Sequence, residues 1–347
     1  MAIEATTASE NQSGVGEEFR GVAGQGPWRL GWRRLRRNRS AMVSLAVLIL
    51  IAAVSVAAPL YADHVAHTNP FLSNLNGTTT VRGRRVDVLQ QGSGLGVSPI
   101  GPTWDIHHFF LGADVDGRDV AARVLYGGRA SLLIAISAAA ASAFVATLLG
   151  LIAGVFGGVV DSILSRSMDI VWAFPVYLVA IALSAVLLTQ NLQVGPLSVA
   201  SGSLVLPILI IGLIFVPYFY RPVRGQTLTV RERDFVKAAV AQGASTWWLI
   251  RSEVMPNVAP TIVVLLPLII AINLLVESGL SFLGIGVQAP QASWGSIIGD
   301  GQGLLYTRPW VAIAPGLMIL VVVLTLNLLG DGVRDALDPR AKLRIGS

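Results

Sequence analysis

The chain has 347 residues, 53% of them hydrophobic and only 13% charged, against about a quarter charged in an ordinary soluble domain, so a lipid setting is expected. It has no cysteine, which excludes both a disulfide framework and a thiolate metal centre. The formal net charge of +5 comes from 25 Lys and Arg against 20 Asp and Glu; these cations gather beside apolar runs instead of interleaving with aromatics, which argues against nucleic acid as a partner.

Residues 1–28 begin with 26 polar, small and Gly-rich positions lacking hydrophobic periodicity, and are expected to be a disordered cytoplasmic tail. No cleaved signal peptide is expected, because the first apolar run begins only at Ala41 and is as long as a full span. Crossing a bilayer core of about 30 Å takes about 20 apolar residues in a helix. Runs of that kind lie at Ala41–Leu60, Ser131–Val160 and Val311–Leu329. The uncharged stretch 170–220 is too long for one helix. Thr189-Gln190-Asn191, Gly195-Pro196 and Ser201-Gly202-Ser203 divide it into spans at about 170–188 and 204–220. Val258–Val287, holding the single acid Glu277, makes a sixth span. No stretch alternates as a barrel strand would, so all six are expected to be helices, giving an all-α polytopic membrane protein.

The expected organisation is an N-terminal part, 29–130, with a basic segment, the first span and a long outer loop; a five-helix core, 131–340, interrupted by a cytoplasmic loop at 221–257; and a tail at 341–347. Six spans put both termini on one side. With that side inside, 18 of the 25 Lys and Arg are cytoplasmic, so cytoplasmic N- and C-termini in a bacterial inner membrane are expected. The outer loop, Tyr61–Gly128, is rich in Gly, Pro, Asn and Thr and is expected to contain irregular stretches. In the inner loop, Asp234–Gln242 is a good helix former, Gly243 suits its end, and Ser245 can cap a second short helix running toward Pro256.

Lys237-Ala238-Ala239-Val240-Ala241-Gln242-Gly243, followed thirteen residues later by Pro256, resembles the EAA loop of ABC importer permeases. Leu111-Gly-Ala-Asp114-Val-Asp116-Gly117-Arg118-Asp119-Val, Phe156-Gly157-Gly158 through Asp161, Asp169 with Phe174-Pro175, and Arg224-Gly225-Gln226 are similar to segments of dipeptide and oligopeptide permeases. So are Leu280-Ser281-Phe282-Leu283-Gly284, Ser293-Trp294-Gly295 and the closing run Asn327 to Arg340. The resemblance spans about residues 29–340 and points to the C-type subunit of the peptide and nickel group, in which Lys237 stands where the family usually has Glu. Residues 78–102 look like an insertion.

What the resemblance implies is a type I ABC importer permease fold. It also implies a homologous B-type permease partner, two ATP-binding subunits and an extracytoplasmic peptide-binding protein. Lys237, Ala238, Ala239, Gly243, Ala244, Ser245 and Pro256 would then form the ATPase-coupling loop. Asp114, Asp116, Gly117, Arg118, Asp119 and Trp294 are candidates for binding-protein or gating contacts, with internal pairing through Arg118 as the alternative for the acidic motif. An acid within a span is costly, so Glu277, with Asn273 a turn earlier and Ser281 a turn later, is a candidate pathway group; pairing with a neighbouring helix is the other reading. Pro175, Pro207, Pro217 and Pro267 are candidate kinks.

No enzyme activity and no cofactor are expected. A Walker A loop needs Gly-Lys-Ser/Thr, and the only lysines, Lys237 and Lys342, follow Val236 and Ala341, so ATP would be bound by partner subunits. His64 and His67 have metal-compatible spacing, but they and His107 and His108 read as polar loop residues, and no metal is expected. The cargo reading is di- or oligopeptide, with a nickel chelate or other small solute as the alternative. An ion-driven secondary transporter would want acids in several spans, and only Glu277 qualifies. A membrane enzyme would want a nucleophile, base and orienter, and none stands out in the outer loop.

Overall fold

The computed structural model describes residues 27–81, 83–91, 97–187, 192–194, 197–200 and 202–338. The expected tail at 1–28 lies outside the described residues up to 26, and its last two residues, Pro27 and Trp28, instead open a helix; the tail at 341–347 and the separators Thr189-Gln190-Asn191, Gly195-Pro196 and Ser201 lie outside the described residues. A basic helix α1 (Pro27–Arg37) precedes the first long helix α2 (Arg39–Val56), whose N-cap Asn38 accepts the Ala41 amide. A short α3 (Ala58–His64) leads into the outer segment. There β1 (Thr78–Val81) pairs antiparallel with β2 (Arg84–Asp87), and β3 (Leu89–Gln91) with β4 (Val97–Pro99). These hairpins replace part of the irregular structure expected there. They enclose a small core of Val88, Ile100, Phe109 and Ala113 that holds the outer segment together apart from the helices.

Helix α4 (Val120–Phe156) runs 37 residues and starts above its apolar run. Charge does not end a helix when the charge is paired. Arg123 is buried in ion pairs and Arg129 lies 5.6 Å from the Tyr126 ring centre, so Asp119 rather than the first uncharged residue sets the boundary. The third expected span is two helices, α5 (Gly158–Ala173) and α6 (Val176–Leu187), bent by 87°. The break falls at Phe174-Pro175, because proline disfavours helical backbone in the residue before it and Phe174 is extended. A third hairpin, β5 (Leu192–Val194) with β6 (Leu197–Val199), follows. The fourth expected span is also bent, by 43°, between α7 (Val205–Ile214) and α8 (Val216–Arg231), with Pro217 in the first turn of α8.

After α9 (Asp234–Ala241), the second helix of the inner loop is not short. Thr246–Trp248 (α10) passes through a π-helical turn, Leu249–Val254, into α11 (Met255–Phe282), so one 37-residue helix runs from this loop to the opposite end of the bundle. Pro256 does not stop it. The wide turn, with the Met255 amide reaching back five residues to Ile250, accommodates a residue that cannot donate to the ordinary ladder. Helix α12 (Trp294–Gly301) and α13 (Trp310–Leu337) complete the chain. Among the described residues four helices are long and apolar enough to cross a membrane, or up to six spans if each bent pair is one.

α4 lies at the centre. One side, through Ile134, Ala138, Ala139 and Ala146, packs with Ile211, Phe215 and Phe219 of α7 and α8. Its outer half, through Val124 and Ala135, joins Ile51, Leu274, Trp294 and Val322. Alanine and glycine on α4 let backbones approach closely, the arrangement that stabilises helix pairs where lipid tails compete with apolar side chains. At Gly150 a Cβ would stand 2.7 Å from Val223 Cγ1 of α8, whereas Gly316 of α13 has open space around it. Gly150→Ala is therefore expected to lower the apparent Tm in detergent. Gly316→Ala should leave it unchanged or raise it, since alanine favours a helix over glycine by about 1 kcal/mol; equal responses would show that α4 and α8 do not touch as described.

Candidate functional site

The inner loop forms an exposed corner. α9 ends in two bonds, Ala244 N–H to Ala239 O and Gly243 N–H to Val240 O, both 3.0 Å. This pattern needs a left-handed residue at its hinge, and Gly243 supplies φ +85°. Ser245 then caps α10, accepting the Trp248 amide at 3.3 Å. The corner is anchored from below by Val236, Leu249, Val254 and Val258, packed with Leu151, Val223 and Val230. Its outer surface carries Lys237, Ala238, Gly243 and Ser245, all exposed, beside half-buried Ala239 and Ala244, with Pro256 exposed further on. Large apolar groups stand free there: Val240 is 55% exposed and Trp247 71%. Lys237 pairs only with exposed Glu232, at 3.2 Å.

Just above this corner two ion pairs fasten α5 to α8. Arg224 grips Asp161 with two nitrogens, Nε on Oδ1 and Nη2 on Oδ2 at 2.6 Å, and Ser165 links Asp161 to the Tyr220 hydroxyl. Arg221 reaches Asp169 at 3.0 Å with its guanidinium 4.4 Å from the Trp172 ring centre.

The membrane acid Glu277 is enclosed by its neighbours within this chain. It is fully buried and accepts the Ser281 hydroxyl at 2.7 Å and the Ser278 hydroxyl at 3.4 Å, with Ser131 of α4 and Ser293, the N-cap of α12, close by. Two hydroxyl bonds, two further hydroxyls nearby and the positive end of a helix explain how the carboxyl is tolerated there. Asn273, also fully buried, donates to the Ala135 carbonyl at 3.3 Å, while its own Oδ1 has no partner. Ser281, 3% exposed, is committed to Glu277 and to the Val287 amide. The three candidate pathway groups are thus joints between α11, α4 and α12.

Trp294 is enclosed as well: its side chain is fully buried, with Nε1 donating to Val124 O at 2.9 Å and its amide to Ser131 Oγ at 3.1 Å. In the outer motif, Asp114, Arg118 and Asp119 are buried, Gly117 turns the chain at φ +73°, and Val115 and Asp116 are the accessible side chains between them. Asp114 accepts the amides of Asp116 and Arg118 and the Arg118 Nε at 2.8 Å, which is the internal pairing expected as the alternative. Two residues outside the motif complete the cluster. Arg123 binds Asp114 through Nη1 and Asp300 of α12 through Nη2 at 2.9 Å, and Arg118 reaches Asp300 at 3.1 Å. Nothing in the linear spacing relates position 300 to 114. Among the described residues no group of three or more His, Asp or Glu is arranged to hold a metal, and His107 Nδ1 faces the Val65 carbonyl.

Asp119 caps α4 through the Ala121 and Ala122 amides, but burial outweighs those bonds and pushes its carboxyl from 3.8 up to about 6. The fold therefore prefers the protonated acid. Its contribution is whole below the ordinary carboxyl value and is lost as pH rises through about 6. Asp119→Asn keeps a cap without the charge, so its Tm should climb relative to wild type as pH goes from 4 to 7; a constant difference would contradict the burial of this acid. Removing one partner of a buried ion pair costs about 3–5 kcal/mol. Arg123→Gln and Asp300→Asn should each lower stability, and the double variant should lose less than their sum; strict additivity would separate the two residues.

Comparison with known proteins places these features in a family. Residues 146–343 match the family described as binding-protein-dependent transport system inner membrane component, and residues 26–76 match the N-terminal TM domain of oligopeptide transport permease C. The dipeptide transport system permease protein DppC of Alkalihalophilus pseudofirmus is 34% identical over 317 residues, 91% of either chain. A glutathione transport system permease protein of Pectobacterium atrosepticum is 33% identical, covering 91% of this chain and 92% of that one. The oligopeptide transport system permease protein OppC of Escherichia coli is 32% identical, covering 92% and 93%. Among solved structures, the MetNI methionine ABC transporter in inward-facing form gives 16% identity and a TM-score of 0.40, covering 58% of this chain and 94% of that one. With more than half its length in the family match and over nine-tenths aligned to such permeases, the chain belongs to the binding-protein-dependent transport system inner membrane components.

Proposed function

We propose that this chain is the C-type permease of a peptide importer, which with a homologous permease encloses the pathway and is driven by two ATP-binding subunits. The observation that carries the mechanical part is the exposed corner at Gly243: an apolar, solvent-facing surface on a polar loop, rigidly fixed to the bundle, is suited to seat in another protein. The relatives' cargoes, named as dipeptide, oligopeptide and glutathione, support a short peptide as the transported solute. The distribution of arginines supports cytoplasmic termini, which puts the corner on the side where ATP is found. The chain itself binds no nucleotide in this reading. ATP hydrolysis shifts the permease only through a partner whose contacts differ between its two states.

The proposed division of labour follows from the geometry. Arg224–Asp161 and Arg221–Asp169 hold α5 to α8 where α8 enters the corner, so a push on the corner is shared by both bent spans. A tagged chain extracted in mild detergent should bring down a second permease and ATP-binding subunits with ATPase activity. Gly243→Val, with a branched side chain at φ +85°, should lose the ATP-binding subunits and reduce dipeptide uptake at least tenfold without loss of membrane insertion. Gly243→Asn, which tolerates that backbone, should retain both. Normal uptake by the valine variant, or an eluate of the chain alone, would refute the coupling role.

A further inference from the structure

α1 has an unusual composition for a helix packed on a membrane protein: five arginines in eleven residues and no acid. Leu30, Gly31, Arg34 and Leu35 face inward, Gly31 against Leu337 of α13, and Arg34 donates to the Asp338 carbonyl at 3.1 Å. Round the remaining surface, Trp28 and Trp32 form a stripe one turn apart, 45% and 47% exposed. Arg29, Arg33, Arg36 and Arg37 follow beside it, with Arg36 lying 5.1 Å from the Trp32 ring centre. Asn38 ends α1 in an extended conformation and the membrane helix α2 starts at the next residue, so α1 is tied to the level of the bilayer interface. Tryptophan beside arginine is the composition that suits this level, the ring at the edge of the acyl region and the guanidinium among headgroups.

Beneath α1 opens a cavity of about 1020 Å³ bounded by α1, α8, α11 and α13. Its charged lining is Arg34, Arg233 and Arg334 against Asp331 and Asp338, and its apolar wall includes Val264, Leu265 and Leu268 of α11. Leu268 is 44% exposed. A cavity whose charged lining has one more arginine than aspartate, with apolar side chains beside them, fits an amphiphile with an anionic head, and the four further arginines on the outer face of α1 extend the same preference across the adjoining surface. We infer that α1 and the cavity beneath it form a binding site for an anionic phospholipid, the phosphate held by Arg34, Arg233 and Arg334 and an acyl chain lying along α11. The site rests on the chain's residence in a membrane, not on its cargo or on which way it is inserted. It gives the N-terminal segment a task separate from transport chemistry, which is to fix the ends of α11 and α13 nearest α1 against the lipid surface.

The test is native mass spectrometry of the detergent-extracted full chain with its co-purifying subunits, titrated with dioleoylphosphatidylglycerol or dioleoylphosphatidylcholine. Phosphatidylglycerol should be retained at least tenfold more tightly, and Arg233→Gln/Arg334→Gln, which leaves the Arg34 bond to Asp338 intact, should reduce that preference to about twofold or less. Asp331→Asn should strengthen it. The ratio of the two lipids is the readout, since a misfolded variant would lose both. Should Arg233→Gln/Arg334→Gln fail to fold, Asp331→Asn and Arg36→Gln/Arg37→Gln carry the test, with the second expected to weaken phosphatidylglycerol selectively. Equal retention of both lipids by wild type, or an undiminished preference in the arginine variants, overturns the proposal. Displacement of phosphatidylglycerol by millimolar inorganic phosphate would assign the pocket to a free anion and overturn it as well. Because binding is read in detergent without transport, a failed lipid test leaves the importer reading standing, and a failed uptake test leaves this one.

Discussion

In a bilayer a leucine gains little by leaving lipid for protein, so helices hold together mainly where their backbones can come close. α4 supplies that closeness for most of this molecule. Its line of alanines, from Ala130 through Ala138 and Ala146 to Ala153, together with Gly150 and Gly154, lets α7, α8 and α11 approach without intervening bulk. The polar joints then fix angles. Ser131 of α4 accepts the Trp294 amide at the start of α12, while Glu277 of α11, close beside them, takes the Ser281 and Ser278 hydroxyls. A carboxyl in this position is tolerated because its surroundings are hydroxyls and a helix N-terminus.

Local chemistry was legible in the sequence wherever one residue sufficed to specify it. Gly243 stops α9 because the turn beyond it needs positive φ, and Ser245 starts the next helix because its hydroxyl satisfies a free amide. Membrane residence followed from run length alone. The bend at Phe174-Pro175 was foreshadowed by the proline but not its size, because the 87° angle is fixed by what α5 and α6 each pack on. Tertiary pairing was not legible. Arg123 reads as a charge that should end a span, and only the proximity of Asp114 and Asp300 makes it a buried part of one. For Glu277 both a pathway role and pairing with a neighbouring helix could be read, and for Trp294 a contact role, since a sequence shows that a residue is costly to bury without showing who shares the burial. The hairpins of the outer segment were hidden for another reason: strands of three or four residues carry too few alternations to be recognised.

The outer cluster has an organising effect beyond its own stability. Arg118 and Arg123 connect the chain before α4 to Asp300 of α12, while Arg308 Nε bonds the Pro99 carbonyl at 2.6 Å and Trp104 rests edge-on against Trp310, 5.6 Å between centres. The small β-containing core is thereby fastened at several points to elements that follow it by about two hundred residues. Its assembly depends on the last third of the chain. Contacts of such long sequence separation delay folding, because the intervening chain must be positioned first.

The continuity of Thr246–Phe282 turns the inner corner and the buried acid into two ends of one rod. At 1.5 Å per residue, 37 helical residues extend about 55 Å. Because the rod is gripped where Asn273 and Glu277 are buried, while Trp247 stands free, a rigid tilt about that grip moves the corner end far more than the acid. The π-turn at Leu249–Val254 sits close to the driven end, with its loosened ladder just inside the corner. With Pro260 and Pro267 further along α11, the rod has three places on the corner side of the acid where the ordinary ladder is interrupted, so bending there is cheaper than in the stretch that carries the acid.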